Sequence, residues 1–437
     1  MREMMAAVLS LALFGLAACS GEPAGDAKVE RASPLKDLPS APGPTVEKIK
    51  ALGDNAWLNL GSPAPDPKWG KGRGRSWGCK MPYAPDLGGA FLSGQGVHGY
   101  VAPDGRYDDI FFYDLYAHRW ICIYPGINTR TFVEDIKNGA FKVNDDGQVA
   151  DKDGQPIYGI GAHSYQSQTY DTDLRKWVTS SSWGGLPGDQ HCRAMPWLKE
   201  SVALLAAQMQ GKTDKVSGTP YFFNTVTGKL ERFPADGPRP AGGTLFYLPT
   251  RKLLWQYAAE NKTWFGDPAT RKWSPAGAKG PTPPGIPGDV GACYDSKRDR
   301  LYLGRGPYGG PVRDNEGHVY IYDVKTNAWS NPPNKENAVA FPATNYGVVN
   351  YDAANDRVVA LSHWEGKGGV SAYDPETGAW ETLPPPPAGF LSDQGCIHGF
   401  YSPEVNAHFF YLAHDSDDRG TMWAYRYKPT PAPQPGR

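Results

Sequence analysis

Apolar and polar residues alternate along much of this chain in short bursts, and between Asp289 and Pro386 one pattern of bursts occurs twice. The first copy runs Ala292-Cys-Tyr294-Asp, a turn, Arg300-Leu-Tyr-Leu303, a polar loop, then Val319-Tyr-Ile-Tyr322-Asp323 and a second turn leading to Trp329. The second copy repeats it from Val349-Asn-Tyr351-Asp through Arg357-Val-Val-Ala-Leu361 to Val370-Ser-Ala-Tyr373-Asp374 and Trp380, followed by Leu383 and a run of prolines. Period-two alternation bounded by turns rich in Asp, Asn and Gly marks strands joined as hairpins. Each copy holds two hairpins and therefore predicts one four-stranded antiparallel sheet.

A unit of roughly 50 residues with four short strands cannot bury both its faces alone, and stacking such units in a ring is the solution it predicts. A tyrosine before the first turn occurs at Tyr83, Tyr170, Tyr247, Tyr294, Tyr351 and Tyr401, which counts six blades. The second hairpin shows only five complete pairs: Tyr113 with Trp120, Phe223 with Leu230, Phe265 with Trp273, Tyr322 with Trp329, and Tyr373 with Trp380. After Met422-Trp-Ala-Tyr425-Arg-Tyr427 the chain passes into prolines with no outer strand, while Asn55-Ala-Trp57-Leu-Asn-Leu60 near the other end is an orphan resembling Asn327-Ala-Trp329. The expectation is an all-β, six-bladed propeller over residues 51–428, with residues 56–60 completing the last blade and a Pro-rich tail at 429–437. Closure of this kind removes the sheet edges on which other chains could pair.

Two insertions break the regular spacing. Residues 141–154 carry Asp-Gly turns that suit a hairpin better than a calcium loop, since the ligand alternation and closing Glu of such a loop are missing. Pro196 to Met209, inside blade two, has apolar residues at helical spacing and Gly211 beyond its end, which predicts a helix. The links from second to third strand and between blades are the long ones, and geometry puts them all on one face. That face collects His98, His163, Trp183, His191, Arg193, Arg305, Tyr308, Arg313, His318, His363, Trp364, Asp393, His398 and His414. Arginine forks and flat rings suit a carboxylated or sugar-like ligand; the alternative is polar side chains that satisfy their own loops.

Before the ring, an apolar run from Ala6 to Ala18 is too short to span a membrane and has the build of a signal peptide. Leu16-Ala-Ala-Cys19 resembles a bacterial lipobox, which implies cleavage before Cys19 and a lipid on that residue. Residues 19–50, rich in Pro, Ala, Gly and charge, read as a disordered tether. The expected location is the bacterial cell envelope, lipid-anchored, at the outer membrane facing periplasm or exterior. The net charge of −1 offers nothing to nucleic acid, and 12% aromatic residues are enough to fill the space between blades. No metal-ligand spacing or cofactor motif stands out, so none is expected, and a closed ring is expected to be a monomer. Cys79 and Cys396 fall on innermost strands of neighbouring blades; they could form a disulfide or remain two small buried thiols.

Four-stranded units with Tyr-Asp, a turn and Trp resemble kelch repeats, and the ring is similar to the galactose-oxidase-like propellers over residues 51–428. A kelch repeat usually ends its second strand in Gly-Gly, where this chain has Leu303-Gly-Arg-Gly and Leu361-Ser-His-Trp. The copper site of galactose oxidase is not matched residue by residue, and its activity is not carried over. The family also includes periplasmic sialic-acid epimerases. Two functions are therefore expected: a recognition module binding a glycan or protein on the loop-rich face, or a sugar-active enzyme (epimerase, mutarotase or lyase) with a His or Arg at the channel mouth acting as acid or base.

Overall fold

The computed structural model describes residues 33–75, 77–94, 101–157, 164–180, 197–212, 219–232, 238, 243–305, 310–311, 316–342, 347–364, 367–390, 396–414 and 419–429. Among them are six four-stranded antiparallel sheets arranged as blades. Blade one is Tyr83–Ala84, Gly89–Leu92, Ile110–Asp114 and Arg119–Tyr124, and blade two is Gln168–Asp171, Lys176–Thr179, Tyr221–Asn224 and Leu230–Arg232. Blades three to five follow the same simple order from Thr244–Leu248, Ala292–Asp295 and Gly347–Asp352 outwards. Blade six takes Cys396–Ser402, Ala407–Ala413 and Gly420–Arg426, and its outermost strand is Ala56–Gly61.

One local device explains why the tyrosines recur. Each tight hairpin needs a residue in the left-handed region at its end, where Asn, Asp and His are tolerated best. In some of the hairpins that residue accepts a hydrogen bond from a tyrosine hydroxyl five positions earlier, as in Tyr294 with Asp299 at 2.8 Å, Tyr322 with Asn327 at 2.6 Å, Tyr351 with Asp356 at 2.9 Å and Tyr401 with Asn406 at 3.1 Å, whereas Tyr170 donates to Asp86. The four turn residues Asp299, Asn327, Asp356 and Asn406 have φ of 58°, 52°, 55° and 46°. Blade six makes the same staple across the chain termini, because Tyr425 Oη donates to Asn55 Oδ1 at 2.8 Å and Asn55 has φ 49°. Trp57 then pairs with Tyr425 in register, as Trp329 pairs with Tyr322. Asn55→Ala is expected to lower stability by about 2 kcal/mol, through the lost bond and the strained φ, with Asn55→Gly recovering roughly half; a denaturant midpoint measures it.

The packed domain begins before residue 51, the expected end of the tether. Ser33 and Leu35 are buried against blade two, where Ser33 Oγ donates to the Thr225 carbonyl at 2.6 Å. Helix α1, Pro44–Lys50, buries Val46 and Ile49 in the core shared by blades six and one. Its C-terminal carbonyls are held by Arg426, whose Nη1 donates to Lys50 O and Leu52 O at 2.7 Å each. Leu35, Val46 and Ile49 are the buried apolar residues of this stretch, with Leu38 partly buried beside them, too few to register as a period amid proline and charge.

The two insertions fold together. Helix α2, Phe132–Lys137, the hairpin Phe141–Val143 with Val149–Asp151, and helix α3, Leu198–Met209, enclose a small core of Phe132, Ile136, Val143, Leu198 and Leu205. This cap rests on Tyr107 of blade one, whose ring meets Trp197 edge-on at 5.0 Å. Among the described residues no helix is long and apolar enough to cross a membrane.

Candidate functional site

The segment Gly72-Arg73-Gly74-Arg75 crosses from blade six to blade one on the face of the long loops. Gly74 N donates to the His414 carbonyl at 2.7 Å, and Arg75 N donates to His398 Nε2 at 2.9 Å. A Cβ on Gly74 would lie 2.5 Å from the Ala413 carbonyl oxygen, so only glycine lets the segment lie this close to blade six. The two flanking arginines are thereby turned inwards, against the link that joins the second and third strands of blade one.

There they meet Asp109, which is wholly buried. Arg75 Nη2 binds Asp109 Oδ1, Arg106 Nη1 donates to Oδ2 at 3.1 Å, and Arg73 Nη2 stands 4.0 Å from Oδ2. Arg106 also binds Asp104, at 2.6 Å, whose side chain is half exposed. Arg73, Arg75 and Arg106 are 2%, 0% and 8% exposed. Burial alone would push the Asp109 carboxyl up, and the three guanidinium groups reverse this and hold it below the usual carboxylate range. Burial pulls Arg73 down from its ordinary value. Arg73, Arg75 and Arg106 thus gather around the one buried carboxylate of Asp109, and Asp104, which binds Arg106, is at the surface. Among the described residues, Arg75 Nε and Nη1 are buried without a hydrogen-bond partner. Unsatisfied buried donors on a charged group are costly.

The residues singled out in the sequence are distributed differently. His398 lies in the innermost strand of blade six and not in a loop; it is 1% exposed, and burial followed by the nearby Arg75 charge lowers its pKa to about 3. With Nε2 accepting from Arg75 N, it is a neutral anchor for the crossing segment. His414 contributes its carbonyl to the same anchorage. Arg305 is consumed in its own loop, donating to Glu316 at 2.8 Å and to the Gly310 and Pro311 carbonyls at 3.1 and 3.0 Å. His318 is fixed there through its backbone N, which donates to Asn334 Oδ1 at 2.7 Å. The backbone of His363 and Trp364 ends the second strand of blade five, paired with Gly368 and Lys367. His98, His163, Trp183, His191, Arg193, Tyr308, Arg313 and Asp393, like Cys19, lie outside the described residues.

Cys79 is a free, fully buried thiol that accepts from Gln166 Nε2 at 2.8 Å, and its backbone faces Gly399 instead of Cys396. Among the described residues, no three His, Cys, Asp or Glu side chains are grouped so that they could hold a metal ion. The arginine cluster was absent from the sequence expectation. The alternation Gly-Arg-Gly-Arg in an inter-blade link was its one visible sign, since two arginines spaced by two in an extended segment share a face.

No protein-family model matches the chain, and no curated protein does. Among solved structures it is similar to an auxiliary nutrient binding protein from Bacteroides ovatus ATCC 8483, at 11% identity and TM-score 0.46, over 85% of this chain and 78% of that one. A second auxiliary nutrient binding protein, from Bacteroides thetaiotaomicron VPI-5482, aligns at 9% identity and TM-score 0.43, over 85% and 76%. An oligogalacturonate lyase in complex with manganese aligns at 9% identity and TM-score 0.39, over 86% and 98%.

Proposed function

We propose that this chain is a lipid-anchored propeller of the bacterial envelope that binds an acidic glycan at the mouth of its loop-rich face. The observation that carries this reading is the buried cluster of Arg73, Arg75 and Arg106 around Asp109, in which two donors of Arg75 have no hydrogen-bond partner among the described residues. A guanidinium fork matches a carboxylate in two parallel bonds, and a uronic or other acidic sugar supplies that carboxylate together with hydroxyls for the surrounding loops. Binding is favoured over proton transfer at this place because His398, which accepts from Arg75 N, is occupied and stays neutral. The anchor and compartment rest on Leu16-Ala-Ala-Cys19, and the kelch kinship rests on the Tyr-Asp-turn-Trp units.

The test is calorimetric titration of soluble residues 20–437 with glucuronate, galacturonate and sialic acid, against galactose and glucose. An acidic sugar is expected to bind and its neutral counterpart not. Arg75→Met is expected to weaken binding about tenfold or more, the worth of a charge-assisted hydrogen bond. Equal response to acidic and neutral sugars, or no response to any, would sink the reading. Conversion of a bound sugar, followed by NMR, would replace it with the sugar-active enzyme.

A further inference from the structure

The six innermost strands enclose a cavity of about 360 Å³ on the axis of the ring, within the size range of small-molecule sites. Its lining runs from Cys79, Lys80, Gln166 and Cys293, near the starts of those strands, to Pro85, Pro249 and Ser296 in the first hairpin turns. Its floor is therefore towards the loop-rich face and its mouth is on the opposite one. Six tyrosines, the same that mark the repeats, contribute to its wall.

Among the described residues, Lys80 is the single charged residue of that lining. Its side chain leaves blade one and reaches past blade two to blade three, where Nζ donates to the Leu245 carbonyl at 2.7 Å and stands 3.3 Å from the centre of the Phe246 ring. Among the described residues no carboxylate lines the cavity, and burial pulls the amine well below its ordinary value. The neighbouring thiols are pushed the other way by burial, Cys79 up to about 12 and Cys293 well above its usual value, so they stay protonated. Burial in an apolar pocket disfavours the ammonium form of a lysine, and the free amine is a nucleophile towards carbonyl carbon. A second feature lies beside it. Gln166 is 1% exposed, its Nε2 donates to Cys79 Sγ, and among the described residues its Oε1 has no hydrogen-bond partner. A buried amide oxygen left in this way wants a donor, and a hydroxyl next to the carbonyl of a ligand would be one.

We propose that this axial pocket captures small hydroxyaldehydes, with Lys80 condensing on the carbonyl carbon and Gln166 Oε1 accepting from the adjacent hydroxyl. The Lys80 amine adds to the carbonyl to form a C–N bond. Both amine hydrogens pass to the former carbonyl oxygen, which leaves as water, and an imine remains. No oxidant, reductant or further reactant is needed. The aromatic wall packs on the carbon chain, and the site is separate from the arginine cluster.

The experiment is incubation of the soluble protein with glyceraldehyde and cyanoborohydride at neutral pH, which fixes an imine as a secondary amine, followed by peptide mapping. Lys80 is expected to be modified about tenfold faster than exposed lysines such as Lys252, whose side chain is 78% exposed. That preference should disappear in guanidinium chloride. Gln166→Met should reduce it without moving the melting midpoint by more than a degree or two, and Lys80→Met should abolish the fast adduct. Modification of Lys80 at or below the rate of Lys252 in the native protein would overturn the proposal. Uronate binding at the other face should be unchanged by the adduct, so the two readings can fail separately.

Discussion

Deletion of residues 51–65 is expected to leave a chain with no cooperative melt and a strong tendency to aggregate. These residues carry the outermost strand of blade six, paired from Ala56 with Arg426 to Gly61 with Met422. They also carry Trp57, whose ring lies 4.5 Å from Tyr425, 4.9 Å from Phe390 and 5.6 Å from Phe410. Losing the packing of one such tryptophan costs about 3 kcal/mol or more, and the remaining strand contributes a comparable amount. The sum approaches the margin of about 5–15 kcal/mol by which folded proteins survive. The deletion also exposes Gly420–Arg426 as an edge bearing Met422, Trp423 and Tyr425, a template for pairing with other chains. Circular dichroism melting and size exclusion read both effects. A sharp melt within a few degrees of the intact chain would show that the ring does not depend on this strand.

The closing strand was legible because its signal is chemical as well as periodic. Asn55 and Trp57 repeat the spacing of Asn327 and Trp329, and that spacing is dictated by the left-handed turn residue and the tyrosine that binds it. Blade number and strand order followed from counting such units. The stretch from Ser33 to Lys50 was illegible as structure because α1 has seven residues and buries only Val46 and Ile49, less than two turns of any period. Function was harder still. Arg305 and His398 have the composition of ligand-binding residues, yet one ties its own loop and the other holds the crossing backbone. Conversely, Arg73, Arg75, Arg106 and Asp109 look like ordinary surface charges in the chain, and only the approach of Gly74 to blade six puts them out of water. Lys80 and Gln166 sit in isolated bridges just before the innermost strands of blades one and two, so nothing in their local pattern announces a pocket.

Asp109→Ala is expected to destabilise the protein by about 3–5 kcal/mol, because it leaves three guanidinium groups buried without their shared counter-charge. For a chain of this length that corresponds to a fall in melting midpoint on the order of 5 °C. The pH dependence has a definite sign. The carboxyl of Asp109 is held below its unfolded value, so its contribution is fully present above about pH 4 and is lost as the pH falls through the folded value. The variant should therefore differ from wild type at neutral pH and converge with it in acid. Anions give the decisive contrast. In Asp109→Ala the vacated position among the arginines should accept sulfate or a uronate carboxylate, and a ligand at a hundred times its dissociation constant returns about 2.7 kcal/mol. Sulfate stabilises most proteins by exclusion, so the quantity to measure is the shift in the variant minus that in wild type, at matched ionic strength. A larger shift in the variant ties the stabilisation to the arginine cluster itself. Equal shifts would mean that the cluster relaxes into water once Asp109 is gone, and that its charge is not held ready for a ligand.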